Sequence, residues 1–430
     1  MIYSSVLKAI REGHGLSQEA FANKLGCTAD YICALEDSSK NREHATPEFV
    51  HNLRTILDLH DAPLTKEEKD QFTEELHRWK DLIDYGEITK ATELKPELAR
   101  RAKSSFRPGL QILYDLYEAR YYRAVDDKEA YEKIMESLSE RKLDFNDRCN
   151  YLYHRLVAMS ALGAHRLKEA HIAFNSCEKI DKDSKWADVG FYYAYGLCLS
   201  YMGYALRAIE YFKKALHRAR WSTNYDGKAN RRYNVYIESW LAQNYGKTGN
   251  TTEALFILNG CLRNEKKKNK TSGLGFICHS FGRVYHEMER FSEALENYDE
   301  AFKYHNEGSV AYLSNLNHKT IALIASDRIC EAMQCVDKGL NMSTDELWKA
   351  LFEALKHSVL LSNPESLDYM INTAIPKLLE LELNEEAMAH HVKLSKFYES
   401  IGNHKQRAEH SDSALEIQKQ LYKERVERGL

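Results

Sequence analysis

Proline and glycine are scarce in this chain. Six prolines and 20 glycines occur among 430 residues, which is too few for the many turns of a β-rich fold, so the composition favours long helices. The nine cysteines are scattered, with no C-x-x-C pair and no histidines at zinc-ligand spacing. We therefore expect an all-α fold with reduced, mostly buried thiols in a cytoplasmic protein.

The chain also lacks an excess of positive charge. Its net charge is -4 and its pI is near 6.5, which excludes a protein that binds nucleic acid through a global basic field, so any DNA contact must be local. No charged segment followed by an apolar stretch begins the chain, and we expect no signal peptide. Residues 189–206 are uncharged but rich in tyrosine and glycine, which predicts a buried helix and no membrane partner.

Motifs of common catalytic and cofactor sites are absent. The sequence contains no G-x-x-x-x-G-K-[ST], no H-E-x-x-H and no G-x-S-x-G, and the segment SGLGF lacks the third glycine of a dinucleotide site. His390 and His391 are adjacent, so they point to different sides of a helix and are poorly placed to share a metal. We predict neither enzymatic activity, metal nor cofactor.

Residues 15–37 (GLSQEAFANKLGCTADYICALED) have the pattern of two short helices. Ser17 is a favourable N-cap for the helix QEAFANKL. Gly26 can take the left-handed conformation that ends this helix, and Thr28 then caps the helix ADYICALE. Two short helices joined by such a turn form a helix-turn-helix, whose second helix would lie in the major groove of DNA.

This segment resembles the Xre/Cro-type helix-turn-helix, and residues up to about Leu59 resemble the closing helices of that family. The resemblance implies that Gln18 caps the second helix and touches a phosphate. It implies that the bases are faced by Thr28, Ala29, Asp30, Tyr31 and Cys33. It also implies that the DNA backbone is gripped by Lys40, Asn41 and Arg42.

The charge of residues 1–60 departs from what DNA binding favours. Six lysines and arginines stand against eight acids, a net charge of -2, and phosphate neutralisation supplies most of the affinity in such complexes. We therefore expect a dimer on a palindromic operator, with half-sites about 34 Å apart. Base recognition would depend on Thr28 and on Asp30, which can accept from cytosine. The alternative is a module that has lost DNA binding and serves in dimerisation or docking.

Residues 61–105 read as charged linker helices. An apolar stripe at helical spacing predicts packing on the first repeats, and it comprises Phe72, Leu76, Trp79, Leu82 and Ile83.

The remaining residues, 106–430, show an internal repeat. Alanines followed by a large apolar residue recur 38 to 46 residues apart, at Ala130, Ala170, Ala208, Ala254, Ala294 and Ala332. The segments GLCLSYMGYALRAIEYFKKAL and GRVYHEMERFSEALENYDEAF resemble tetratricopeptide repeats. Gly196 and Gly282 should let the helices approach closely, with aromatic residues filling the gap between hairpins. The resemblance implies seven or eight helical hairpins in a right-handed superhelix.

In the repeat family the first helix of each hairpin lines an inner groove. Counting helix positions back from the alanines predicts a peptide-binding wall that includes Arg155, Tyr193, Tyr236, Gln243, His279, Arg283, Asn317 and His318. We expect Gln243 and Asn317 to pair with peptide backbone amides, and Arg283 or Arg155 to bind a carboxylate. The alternative for each residue is helix packing or plain solvation.

A helix-turn-helix domain joined to a tetratricopeptide array resembles the RRNPP peptide-pheromone receptors. The resemblance implies a cytoplasmic homodimer or tetramer that binds operator DNA. A short secreted and re-imported oligopeptide would switch it from the repeat groove. Some members of the family act on response regulators through a glutamine ahead of the repeats, and Gln71 is the candidate here. A scaffold with neither DNA nor peptide remains the third interpretation.

Overall fold

The computed structural model of the chain describes residues 4–13, 15–37, 46, 49, 52–53, 66–84, 86–104, 108–142, 145–221, 228–267 and 273–427. Within these ranges the regular elements are helices and no strand occurs. The all-α prediction is therefore confirmed. All nine cysteines lie in these ranges as free thiols, and five of them are buried.

The chain forms two compact units. The first comprises Met1–Leu156 with Ser176–Lys182, and the second comprises Val157–Asn175 with Asp183–Leu430. The division of the chain at residues 60 and 105 stays a prediction.

Three short helices begin the first unit: α1 (Ser4–Gly13), α2 (Gln18–Leu25) and α3 (Ala29–Glu36). Their apolar faces form a small core of Leu7, Phe21, Ala22, Leu25, Ile32, Leu35, Phe49 and Leu53. Because this core is assembled from residues close together in sequence, short helices that would be marginal in isolation are held in place by packing.

Local residues set the ends of these helices. The Ser17 hydroxyl accepts from the backbone N of Ala20 at 3.1 Å, and the Thr28 hydroxyl accepts from the backbone N of Tyr31 at 3.3 Å. Between them, Gly26 has a φ of 69° and ends α2 in the left-handed conformation. The caps and the turn predicted from the sequence are therefore confirmed.

Four longer helices continue the chain: α4 (Lys66–Asp84), α5 (Ile88–Ser104), α6 (Pro108–Ala124) and α7 (Lys128–Glu140). Trp79 on α4 donates from its indole nitrogen to the Ala91 carbonyl at 2.8 Å, and its ring stacks on Tyr114 with 5.5 Å between centroids. The apolar stripe of α4 therefore packs on α5 and α6, as predicted.

Eight helical hairpins occur in the described ranges, beginning with α6 and α7. The first helices of the other seven are α8 (Asp147–Gly163), α10 (Val189–Tyr201), α12 (Lys228–Lys247), α14 (Leu274–Glu287), α16 (Val310–Ala325), α18 (Glu346–Val359) and α21 (Asn384–Ser400). Six of their second helices are single: α9 (Leu167–Ile180), α11 (Ala205–Trp221), α13 (Thr251–Lys267), α15 (Phe291–Phe302), α17 (Ile329–Met342) and α22 (His404–Glu427). In the seventh hairpin the second helix consists of α19 (Pro364–Tyr369) and α20 (Ile375–Glu380), which are joined by a π-helical segment over Met370–Ala374. Seven or eight hairpins were expected.

Glycines bring the two helices of a hairpin together. A Cβ built on Gly196 would lie 2.8 Å from the Phe212 ring, and one built on Gly282 would lie 2.5 Å from the Tyr298 ring. Each ring belongs to the second helix of the same hairpin. These two rings therefore fill space within their hairpins, where the glycines leave room for them. Other aromatic residues fill the gap between hairpins, as expected: the Phe352 ring on α18 would lie 2.5 Å from a Cβ built on Gly339 of α17, and Tyr236 on α12 packs on Phe276 of α14.

The uncharged stretch at 189–206 is one helix and a turn. Helix α10 ends at Tyr201, and Gly203 follows with a φ of 79°. The helix is a buried part of a hairpin, as expected, and none of the described helices has the length and hydropathy needed to cross a membrane.

Within the second unit, the start of α21 contacts hairpins far back in the sequence. A carboxylate oxygen of Glu382 accepts from the backbone N of Lys168 at 2.8 Å, and Glu385 pairs with the Lys247 ammonium at 2.8 Å. Glu385 also lies against Gly203, where a Cβ would be 2.4 Å from its carboxylate. We call these two glutamates the clasp. Glu385 contacts a residue 138 positions earlier in the sequence, and Glu382 contacts one 214 positions earlier.

Candidate ligand groove

Polar side chains join the first helices of successive hairpins. Gln243 on α12 donates to the Ser280 hydroxyl on α14 at 2.8 Å, and its carbonyl oxygen accepts from Arg283 at 3.3 Å. With both ends of the amide occupied, Gln243 is only 3 % exposed. The amide could make further hydrogen bonds, since its NH2 can donate twice and its oxygen can accept twice, but its burial leaves a peptide little access to it. Gln243 therefore stabilises the inner wall.

Two predicted histidines are also engaged by the protein. His279 donates from Nδ1 to Asn315 Oδ1 at 3.0 Å, and His318 donates from Nδ1 to the Ser314 carbonyl at 2.8 Å. Burial and the nearby Arg283 lower the pKa of His279 to about 3 and hold that of His318 well below its ordinary range. Both imidazoles are therefore neutral at physiological pH.

The predicted aromatic contacts are half-buried. Tyr236 lies 5.3 Å from Phe276 between ring centroids, and Tyr193 lies 6.2 Å from Phe212. Part of each ring therefore packs on the protein, and part stays accessible.

Arg155 differs from the other seven predicted contacts. It belongs to the first compact unit, whereas the other seven belong to the second, and it is only 4 % exposed. Arg155 is therefore not part of an accessible wall. Counting helix positions could not show this, because burial depends on tertiary neighbours.

Asn317 lies in a cavity of about 270 Å³. Its side chain is 6 % exposed, and its Oδ1 has no hydrogen-bond partner in the described part of the chain. The cavity is lined by α14, α16, α18 and α21, which are the first helices of four successive hairpins. These lining residues are His286, Asn317, Ile321, Ile324, Ala325, Leu351, Leu355, Ser358, Glu386, Ala389, His390 and Lys393.

The polar residues of α21 were missed by the sequence analysis. Glu386, His390 and Lys393 are spaced at i, i+4 and i+7, which puts them on one face of the helix. That spacing was the available signal.

Burial shifts the titration of all three groups. The pKa of Lys393 is lowered to about 8 by burial, and that of His390 to about 4 by burial and by Lys393. Burial and the adjacent Glu385 raise the pKa of Glu386. Lys393 donates to the Ser358 hydroxyl at 3.2 Å.

In the head, which we define as α1 to α3, the predicted base-facing residues fall into two groups. Thr28, Asp30 and Cys33 are exposed. Ala29 and Tyr31 are half-buried and pack on the head core, where the Tyr31 hydroxyl accepts from the backbone N of Thr46 at 3.2 Å. Tyr31 therefore has a structural role in addition to any contact with DNA.

The structure also alters the expectations for contacts between the head and DNA phosphates. Ser17 caps α2, so the capping role expected for Gln18 was wrong. Gln18 follows the cap and donates to Glu36 at 2.8 Å. Arg11 donates to the same carboxylate at 2.7 and 3.0 Å, so its charge is neutralised within the head. Lys40, Asn41 and Arg42 lie outside the described residues.

Gln71, the glutamine expected to act on response regulators, is exposed on α4. Its amide donates only a long hydrogen bond, 3.4 Å, to Glu75 one turn later.

Comparison with known proteins finds the same fold in several solved structures. The tetratricopeptide repeat model matches residues 189–220, and no curated protein matches the chain. The quorum sensor NprR in complex with its peptide NprX has a TM-score of 0.68 at 18% identity, covering 81% of this chain and 99% of that one. The apo form of NprR from B. thuringiensis gives 0.63 at 18% identity, with the same coverage.

A Rap protein complexed with Competence and Sporulation Factor gives a TM-score of 0.68 at 15% identity, covering 83% of this chain and 99% of that one. The chain thus has the fold of the NprR and Rap receptors, and the resemblance to the RRNPP family is confirmed at that level.

Proposed function

We propose that this protein is a transcriptional regulator that binds a short peptide in the groove of its repeats and DNA through its head. The observation that carries the proposal is the cavity in the inner wall, in which the buried Asn317 oxygen has no hydrogen-bond partner among the described residues. A buried acceptor without a donor costs about 1–3 kcal/mol. A ligand that supplies an N–H group would remove that cost.

A peptide suits this wall chemically. The side-chain amide of Asn317 can accept from one main-chain N–H and donate to a main-chain carbonyl. The half-buried rings of Tyr193 and Tyr236 and the aliphatic side chains of α16 and α18 offer apolar surface to its side chains. The NprR and Rap structures of the same fold hold peptides.

In the head, the exposed residues of the second helix of the helix-turn-helix favour DNA binding, whereas the charge of the head contributes little. Thr28, Asp30 and Cys33 are exposed on the helix that would enter the major groove, while Arg11 is bound to Glu36. One head should therefore bind weakly, and we propose a homodimer or tetramer on a palindrome with half-sites about 34 Å apart.

The peptide would act by favouring one conformation of the array. A hundredfold change in operator occupancy requires about 2.7 kcal/mol of preference for that conformation.

The proposal is tested by titration. A synthetic peptide from the C-terminal end of a short secreted reading frame beside the gene is added to the protein and its promoter DNA, and DNA affinity and oligomer mass are measured. Asn317→Ala should weaken the peptide response about tenfold, since an accepted hydrogen bond is lost. The exposed Asn341→Ala is the matched control. If neither DNA affinity nor mass changes with peptide, the switch is refuted.

A second candidate function is action on a response regulator. It is favoured by the exposed Gln71 on α4 and by the Rap protein among the structural neighbours. The lifetime of a phosphorylated response regulator is compared with wild type, Gln71→Ala and the exposed control Gln418→Ala. A lifetime that wild type leaves unchanged eliminates this activity. Failure of the DNA, peptide and response-regulator assays together would leave the scaffold interpretation.

A further inference from the structure

We propose that the cavity formed by α14, α16, α18 and α21 is a carboxylate-binding site, with Lys393 as the cation that binds the ligand. The inference rests on the proposed peptide-binding function and specifies which chemical group of the peptide this part of the groove takes.

The first argument is a cation that no acid of the described chain neutralises. Lys393 lines the cavity, and its hydrogen bond to the Ser358 hydroxyl at 3.2 Å leaves it without an ion pair in the described ranges. Lys247, in the same compact unit, pairs with Glu385 at 2.8 Å. A half-buried ammonium without a counter-ion is costly unless a ligand supplies one.

The second argument is the sign of the local charge. Arg283 has one hydrogen bond, to the neutral Gln243, and no carboxylate partner among the described residues. The histidines around it, His279 and His318, are neutral because burial and Arg283 lower their pKa values. The acid on the cavity wall is Glu386, and burial and the adjacent Glu385 raise its pKa. Arg283 and Lys393 are therefore two cations of this part of the protein that lack an acid partner among the described residues.

The third argument is the shape and polarity of the walls. Glu386 and Lys393 lie seven residues apart on α21, which corresponds to about 10 Å along the helix axis. Facing them are the aliphatic side chains of Ile321, Ile324 and Leu355. A ligand that fits carries its carboxylate at the Lys393 end and an apolar side chain between the helices, with an N–H group towards Asn317.

Two parts of a peptide supply a carboxylate: its C-terminus and the side chain of an aspartate or glutamate. Both would bind Lys393 in the same way, through a charge-assisted hydrogen bond from its ammonium. The experiment below separates the two sources.

The probes are two libraries of random heptapeptides, one with free and one with amidated C-termini. Each is passed over the immobilised full-length protein, and bound peptides are identified by mass spectrometry. The variants are Lys393→Met, which keeps the aliphatic part of the side chain, and Lys396→Met, an exposed lysine on the same helix. Circular dichroism checks that both fold, and Lys393→Arg should restore binding if Lys393→Met fails to fold.

We expect wild type and Lys396→Met to retain peptides with a carboxylate at least about tenfold better than Lys393→Met does. Enrichment confined to the free-acid library identifies the C-terminal carboxylate. Enrichment of aspartate or glutamate at one position in both libraries identifies a side-chain carboxylate. Either result supports the site.

Two other results would overturn it, and they differ. If wild type and Lys393→Met retain the same peptides with no preference for a carboxylate, the site is refuted and peptide binding stands. If no peptide is retained by any variant, the proposed peptide function fails and the carboxylate site fails with it.

The pH dependence gives an independent readout for a selected peptide. The pKa of Lys393 without ligand is about 8, and a bound carboxylate would raise it. Binding should therefore be constant below about pH 7 and weaken as the pH rises through 8, up to about tenfold per pH unit, because the free protein loses the proton that the complex keeps. Lys393→Met should show no such fall.

Discussion

Arg11 in the head and the cations Arg283 and Lys393 in the repeat groove differ in whether an acid of the protein neutralises them. In the head, Arg11 makes two hydrogen bonds to Glu36, whose side chain is 4% exposed. In the groove, Arg283 and Lys393 hydrogen-bond only to neutral groups in the described part of the chain. The charge of Arg11 therefore stabilises the head, whereas Arg283 and Lys393 have no acid partner among the described residues.

This difference shows where binding energy is to be expected. An arginine that is neutralised within the protein adds little to the attraction of phosphate, so one head binds DNA weakly. An unneutralised cation in a partly desolvated groove gains more from an incoming carboxylate than a surface ion pair does.

As the pH is lowered, the repeats should begin to lose stability at a higher pH than the head does. The folded pKa of His279 is about 3 against an ordinary 6.5, so between these values the unfolded chain binds a proton that the folded chain does not. Stability should fall as the pH drops below 6.5, by roughly 1.4 kcal/mol per pH unit for this one imidazole. Urea unfolding is followed at pH 7, 6 and 5 by tryptophan fluorescence, since no tryptophan lies in residues 1–60.

The variant His279→Gln should reduce this pH dependence by the contribution of one imidazole, whereas the exposed His404→Gln should leave it unchanged. The head depends on Glu36, where burial opposes ionisation but the hydrogen bonds from Arg11 and Gln18 prevail and hold the pKa below its ordinary 4.5. Its contribution is complete above 4.5 and is lost only as the pH falls through the folded pKa. Loss of the head at a higher pH than the repeats would contradict the comparison.

Replacing Glu36 by glutamine should destabilise the head and increase its electrostatic attraction to DNA. Glu36→Gln weakens three hydrogen bonds to a buried carboxylate, and we expect the head to lose about 1–2 kcal/mol, measured by amide exchange over residues 15–37. The released Arg11 should steepen the salt dependence of binding to duplex DNA by about 0.9 in log–log slope. The exposed Glu19→Gln, for which no contact with Arg11 occurs among the described residues, should change neither quantity. An unchanged salt slope would show that Arg11 does not reach a phosphate.

The clasp should restrain the array locally. Glu382→Ala removes the acceptor for the Lys168 amide near the start of α9, and losing such a cap costs about 1 kcal/mol. We expect that amide to exchange about fivefold faster, with no change for the exposed Glu416→Ala. Equal exchange in both variants would mean that the contact does not stabilise this turn.

Removing Arg283 should have the smallest effect on stability. Arg283→Met loses one 3.3 Å hydrogen bond and no ion pair, so the free energy of unfolding should change by less than about 1 kcal/mol. Peptide affinity should nevertheless fall about tenfold if the groove uses this cation. The exposed Arg263→Met is the control. A large loss of stability would show that Arg283 serves the fold.

Much of the fold could be predicted because its signals are local. Ser17, Gly26 and Thr28 act on residues within four positions, and their caps and turn are as expected. The alanines of the repeat, from Ala170 to Ala332, are fully buried where the helices of a hairpin meet. A cap residue always contacts the first turn of its own helix, and a repeat alanine always contacts the partner helix of its own hairpin, so the sequence pattern is enough to predict the contact.

The site was harder to predict, because its residues depend on distant partners. Gln243 and His279 were expected to meet a peptide, yet both are engaged by side chains 36 or 37 residues away. Helix periodicity shows which face a residue occupies. It does not show whether another helix already satisfies its hydrogen bonds.

The all-α architecture, the caps of the head and the recurrence of the hairpins can be predicted from the sequence, since each follows from interactions within one hairpin or one turn. Which polar groups are satisfied depends on the tertiary structure. It paired Arg11 with Glu36, and it assembled the cavity around Asn317 from four hairpins, with Lys393 on its wall. Neutralisation and burial depend on which residues meet in space, and those residues lie 25 to more than 100 positions apart.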